Sequence, residues 1–139
     1  MIKSKIITLA PKPFGFHLIT KEVKDLIQKD IKEVEKGMIF LNLMHTSAGI
    51  TINENSDPSV RSDLKKFFLK LVPRDFDFDH SLEGEDDMPA HVLASLIGTQ
   101  IFLPIQSGEL VLGTWQGIYL CEFRDYSSGR SIYITIMGS

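Results

Sequence analysis

The chain is predicted to fold as an α+β protein: a mostly antiparallel β-sandwich or barrel-like sheet with about three helices. Three observations carry that expectation. Short runs rich in β-branched residues recur between Pro- and Gly-containing turns. Three stretches instead place apolar residues at helical spacing behind a capping residue or a proline. Most connections are short enough for hairpins, which favours antiparallel pairing over helix-crossed parallel strands.

Taken in order, residues 5–9 (KIITL) read as a strand ended near Pro11, and residues 14–19 (FGFHLI) as a second strand able to pair back with it. Thr20 then serves as N-cap for a helix with Glu22 in its first turn. Val23, Leu26, Ile27, Ile31 and Val34 form its apolar stripe, and Gly37 supplies its stop. Residues 38–44 (MIFLNLM) form a strand. Residues 45–60 (HTSAGITINENSDPSV) read as polar elbow, strand and helix cap. Asp57 and Pro58 open a helix whose stripe is Val60, Leu64, Phe67, Phe68 and Leu71, ended by Pro73. Residues 74–87 (RDFDFDHSLEGEDD) form an acidic loop, a length that compact domains mostly reserve for sites. Residues 88–97 (MPAHVLASLI) form a short helix between Pro89 and Gly98. Residues 100–105, closed by Pro104, precede a turn at Ser107-Gly108. Residues 110–112, 117–124 and 130–137 complete an antiparallel series of about seven strands, the last two joined through DYSSG.

With 139 residues, the chain reads as one domain, 1–139, large enough to bury roughly two thirds of its unfolded surface. A net charge of −3 argues against nucleic-acid binding, which draws on a basic surplus. Cys121 is the single cysteine, so neither an intrachain disulfide nor a thiolate cluster is available. No apolar run approaches a membrane span or a signal peptide, so the expected setting is cytoplasmic, without membrane association.

Chemistry concentrates in two stretches. His45, His80 and His91 all lie beside polar or acidic residues, and imidazole is the commonest ligand for a divalent metal. Glu54 and Asp87 are the neighbouring carboxylates, able to ligate, to orient a histidine or to act as a general base. Asp87 is equally explained as a helix cap. Thr46 and Ser47 offer hydroxyl donors to an anion. In the second stretch, Gly113 and Gly117 bracket Thr114-Trp115-Gln116, where an indole face beside an amide suits a ring-bearing substrate. Trp115 is equally accounted for as a core or subunit-interface aromatic. Glu122 and Arg124 alternate with Cys121 and Phe123, so the charged pair is expected to face away from Cys121. Arg130 heads the last strand within reach of a phosphate or a neighbouring subunit.

Together, HTSAGITINEN, the DP pair, EGEDDMPAH, LIGTQIFLPIQSGEL and LGTWQGIYLCEFRD resemble the YjbQ-like family, whose members are commonly described as secondary thiamine-phosphate synthases. The resemblance runs from about Lys5 to Gly138. It implies a homotrimer with a site near the subunit boundaries, and catalytic roles for His45, Glu54 and His91. It further implies a divalent metal, Zn or Mg, on His45, His80, His91 and Asp87. A phosphorylated small-molecule substrate would meet Thr46, Ser47, Asn55, Trp115, Gln116 and Arg130. The implied reaction joins hydroxymethylpyrimidine diphosphate to thiazole phosphate with release of pyrophosphate. The alternative is a trimer that binds a metal or phosphometabolite without catalysis. Asp87-Met88 departs from the Asn-Ala of many relatives.

Overall fold

A computed structural model describes residues 1–139. In chain order the elements are β1 (Ile2–Leu9), β2 (Gly15–Leu18), α1 (Thr20–Ile31), β3 (Lys36–Leu43), β4 (Ala48–Glu54) and α2 (Pro58–Leu71). Then follow α3 (Asp87–Ile97), β5 (Gln100–Gln106), β6 (Glu109–Leu110), β7 (Gln116–Glu122) and β8 (Arg130–Gly138). Every strand pairing is antiparallel, in a five-stranded sheet ordered β1-β8-β3-β5-β6 and a three-stranded sheet ordered β2-β7-β4. The α+β class with three helices and antiparallel sheets is as expected.

Strand alternation builds the core. Ile132, Ile134 and Ile136 of β8 point inward with Ile39 and Leu41 of β3, and meet Ile50, Ile118 and Leu120 from the smaller sheet. Val23, Ile27 and Ile31 of α1 close that interior. Full burial of each such side chain stabilises by roughly 1.5–3 kcal/mol. The opposite face of the smaller sheet presents Phe16, Tyr119 and Cys121 to Ala90, Leu93 and Ala94 of α3 and to Leu64 and Phe68 of α2. The layers are therefore large sheet, small sheet, helix pair.

Several local expectations change. β2 pairs with β7 rather than β1, and β1 pairs with β8. β7 and β8 are not sheet neighbours, because the segment between them crosses from one sheet to the other. The reason lies in β7, which is buried on both faces and so takes the middle of the inner sheet. α1 stops at Ile31, and Gly37 lies within β3, where a Cβ would sit 2.2 Å from the Met137 carbonyl. Thr20 is the first helical residue, not the cap; its hydroxyl accepts from the Ile118 N–H at 2.8 Å and ties α1 to β7. β5 runs through Pro104 as far as Gln106. Asp57 caps α2 as expected, accepting from the Ser59 N–H at 2.9 Å. The α2 stripe is only half used. Phe68 packs 4.9 Å from Phe16, but Phe67 remains 61% exposed.

Candidate metal centre

Between β3 and β4 the chain passes from the large sheet to the small one through residues 44–47. Gly49 allows α3 to seat there. A Cβ at this position would lie 2.7 Å from the Ile97 side chain and 3.0 Å from the Gly98 carbonyl, which accepts from the Ile50 N–H. The docked helix then presents Asp87 and His91, one turn apart on one face, to the elbow.

Asp87 is 2% exposed and uses both oxygens. Oδ1 accepts from the Arg124 guanidinium at 2.6 Å, while Oδ2 lies 2.6 Å from His80 Nε2 and 3.2 Å from His91 Nε2. The ligand atoms of His80, Asp87 and His91 all fall within 4.8 Å of one another. Burial pushes the Asp87 carboxyl up, but the His80 hydrogen bond and the charges of His91 and Arg124 outweigh it and hold it below the usual carboxylate range.

The His91 tautomer is fixed from behind. Its Nδ1 donates to the Thr46 carbonyl at 2.8 Å, so Nδ1 carries a proton. In the neutral ring Nε2 is then a bare lone pair, aimed at a carboxylate oxygen that already accepts from His80 Nε2–H. Two lone pairs at that distance repel unless a positive charge lies between them, either a second proton or a cation.

His45 stands apart from this trio. Its Nε2 accepts from the Ser131 N–H at 2.8 Å, so the neutral ring carries its proton on Nδ1 and offers a donor rather than a metal-ligating lone pair. Desolvation and then the nearby Arg130 charge lower its pKa, with Glu122 opposing. His45, Thr46 and His91, with Ser95 and Thr99, line a cavity of about 710 Å3 that contains no Lys or Arg.

Ser47 and Arg130 do not face this cavity. Arg130 is buried on Glu122 (Nε to Oε1 2.7 Å) and also donates to the Ser47 hydroxyl at 3.0 Å, bracing the elbow from beneath. Glu122 is 0% exposed and lies on the face of β7 opposite Cys121, as expected, where it meets Arg130; only Arg124 departs from that expectation. β7 ends at Glu122, which continues the inward row of Ile118 and Leu120; past the strand the alternation breaks and Arg124 crosses to α3. Arg124 also grips Asp86 Oδ2 at 2.9 Å and the Glu83 carbonyl at 3.0 Å, folding the acidic loop over the start of α3. Sequence reasoning read Arg124 only as a strand residue facing away from Cys121 and passed over Asp86. Their signal was a lone cation just beyond a buried strand and an acidic pair at a helix start.

The remaining candidates lie at the other end of β4, about 20 Å away at the usual rise of a strand. Glu54 accepts from the Ser56 and Asp57 N–H groups at 3.0 and 3.1 Å, supporting the entry to α2. Asn55, Trp115 and Gln116 are grouped beside it.

The family described as UPF0047 protein YjbQ-like matches residues 5–139. The UPF0047 protein YjbQ of Salmonella typhimurium is 48% identical over 134 residues, 96% of each chain. A crystal structure of a YjbQ/UPF0047 protein from Clostridium acetobutylicum, described as uncharacterized, is 36% identical over 99% of each chain, with a TM-score of 0.77. A YbjQ-like protein of unknown function from Sulfolobus solfataricus shares the fold, with a TM-score of 0.83 over 100% of both chains at 24% identity. None of these relatives carries a thiamine-phosphate synthase description, and the family designation assigns no reaction. The joining of hydroxymethylpyrimidine diphosphate to thiazole phosphate, implied by the sequence resemblance, is corrected accordingly.

Proposed function

This chain belongs to the YjbQ-like UPF0047 family, and from that premise we propose that it holds a divalent metal on His80, Asp87 and His91 and presents it to a small oxyanion-bearing molecule. One observation carries the reading: His91 Nε2 faces Asp87 Oδ2 while Nδ1 is committed to the Thr46 carbonyl. Two imidazoles and one carboxylate fit Zn2+ better than Mg2+, which prefers an all-oxygen shell. Three protein ligands leave coordination positions open, and His91, which also lines the cavity, would bring the metal's Lewis acidity beside it. Because the cavity wall has no Lys or Arg, an anion there depends on that cation for its charge. His45 Nδ1–H and the hydroxyls of Thr46 and Thr99 would orient it.

Elemental analysis and Zn2+ titration of protein made without a polyhistidine tag test this reading. About one metal per chain is expected, and His91→Ala should weaken binding beyond the roughly 10–100-fold typical of losing an outer-shell partner. Wild-type protein that takes up no Zn2+, or a His91→Ala variant that binds as well, would sink the proposal.

We also propose self-association as a homotrimer. What supports it is the outer face of the five-stranded sheet, where Ile6 lies opposite Tyr133, Met137 opposite Ile2 and Met38, and Phe40 opposite a 60% exposed Phe102. An uncovered apolar face of this kind marks an interaction surface. Native mass checks it, and a monomer at micromolar concentration would refute it.

A further inference from the structure

At the Glu54 end of β4, the turn of residues 113–116 stands over a cavity of about 590 Å3 whose other wall includes the first turns of α1. Asn55 holds three successive carbonyls of that turn. Its side-chain amide donates to Thr114 O at 3.2 Å and to Gln116 O at 3.0 Å, and its main-chain N–H donates to Trp115 O at 3.0 Å. Gln116 closes the turn from within. Its N–H donates to the Gly113 carbonyl at 3.0 Å, and its Oε1 accepts from the Gly113 N–H at 2.7 Å. These bonds fix the backbone of a turn whose largest side chain, Trp115, is 65% exposed. A ring presented on a backbone already ordered loses little further entropy when a second ring stacks on it.

The charge of the cavity is one-sided. Lys21 and Lys24 line it and no carboxylate does, in a chain whose net charge is −3. Lys21 is tied to Asp25 at 2.7 Å, whereas Lys24 enters no ion pair. Gln116 keeps its side-chain NH2 free for a ring edge. The volume falls within the roughly 300–1,000 Å3 of small-molecule sites. No residue of the metal centre contributes to the lining.

We propose that this cavity is a second ligand site, independent of the metal centre, for a planar ring of mononucleotide size bearing an anionic group. The ring stacks on Trp115, its edge meets the Gln116 amide, and the anion is held by Lys24 with Lys21.

Trp115 is the only tryptophan of the chain, so its emission reports on this site alone. The experiment titrates adenosine 5′-monophosphate, adenosine and inorganic phosphate against the full chain, with and without chelator, at several protein concentrations. Saturable quenching by the monophosphate is expected, unchanged by chelator, with adenosine and phosphate each weaker. Lys24 is exposed, so Lys24→Glu should fold normally and lower the affinity by roughly tenfold. Absence of saturable quenching overturns the proposal, as does adenosine binding as tightly as its phosphate, or a Lys24→Glu variant that binds unchanged. Emission that moves with protein concentration alone would instead make Trp115 a subunit contact. Because the site uses no metal ligand, loss of quenching and loss of Zn2+ uptake are separately readable.

Discussion

The two ends of the β4–β7 pair use polar residues in opposite ways. The register sets Ala48 opposite Glu122 at one end and Glu54 opposite Gln116 at the other. At the first end, ionisable groups are packed against one another: a buried Arg130 on Glu122, a half-buried Arg124 on Asp86 and Asp87, and two imidazoles on a single carboxylate oxygen. At the second, neutral amides are spent on backbone carbonyls and a large ring is left facing outward. The first end stores charge that an ion can answer. The second stores rigidity.

Four measurements would break or sharpen that contrast. The largest effect is expected from Glu122→Ala, which strands the buried Arg130 cation and should cost about 3–5 kcal/mol in denaturant unfolding. A loss below about 1 kcal/mol would mean that water reaches Arg130 and that the first end is not dry. Next is Arg124→Ala. Freeing Asp87 Oδ1 should weaken Zn2+ binding by roughly 10–100-fold, the range for an outer-shell partner, with circular dichroism unchanged. Unaltered affinity would show that Asp87 needs no positioning. Asn55→Ala follows, with about 1–2 kcal/mol of stability lost through its two side-chain bonds. Faster Trp115 depolarisation should accompany it, and an equally rigid tryptophan would contradict the clamp. The smallest effect is the pH dependence contributed by His45. Its folded pKa lies below the unfolded value of about 6.5, because burial and then Arg130 disfavour the imidazolium. The unfolded chain therefore takes the proton first, so this contribution is complete above that pH and is lost as pH falls through the folded value. His45→Gln should flatten that part of the stability profile, and an identical slope in the variant would assign it to another group.

Much of this contrast was legible in the sequence. The polar elbow between two apolar runs, the cap at Asp57, and the helix between Pro89 and Gly98 all follow from local chemistry. What sequence could not supply is which strand lies beside which. The two-sided burial of β7 is a property of layers, and hairpin proximity alone pointed to β2 with β1 and β7 with β8. Strand alternation holds at Glu122 but misled at Arg124, since the period of two lapses where the strand ends. His45 shows a finer limit. Whether an imidazole ligates or donates depends on which backbone N–H meets its other nitrogen, and here Ser131 comes from a strand 86 positions further along the chain.

The position of β8 has a consequence for how the molecule assembles. β1 and β3 never touch as sheet neighbours; each pairs with β8, which lies between them. On a ribosome, β8 is made after every other strand, so the five-stranded sheet cannot close during most of translation. Until then β1 waits with both edges unpaired, a state open to capture by chaperones or by other chains. The small sheet, whose strands are complete once β7 emerges, can order first. Contacts as remote in sequence as Ile2 with Met137 also place refolding toward the slow end of the range, in milliseconds to seconds rather than microseconds.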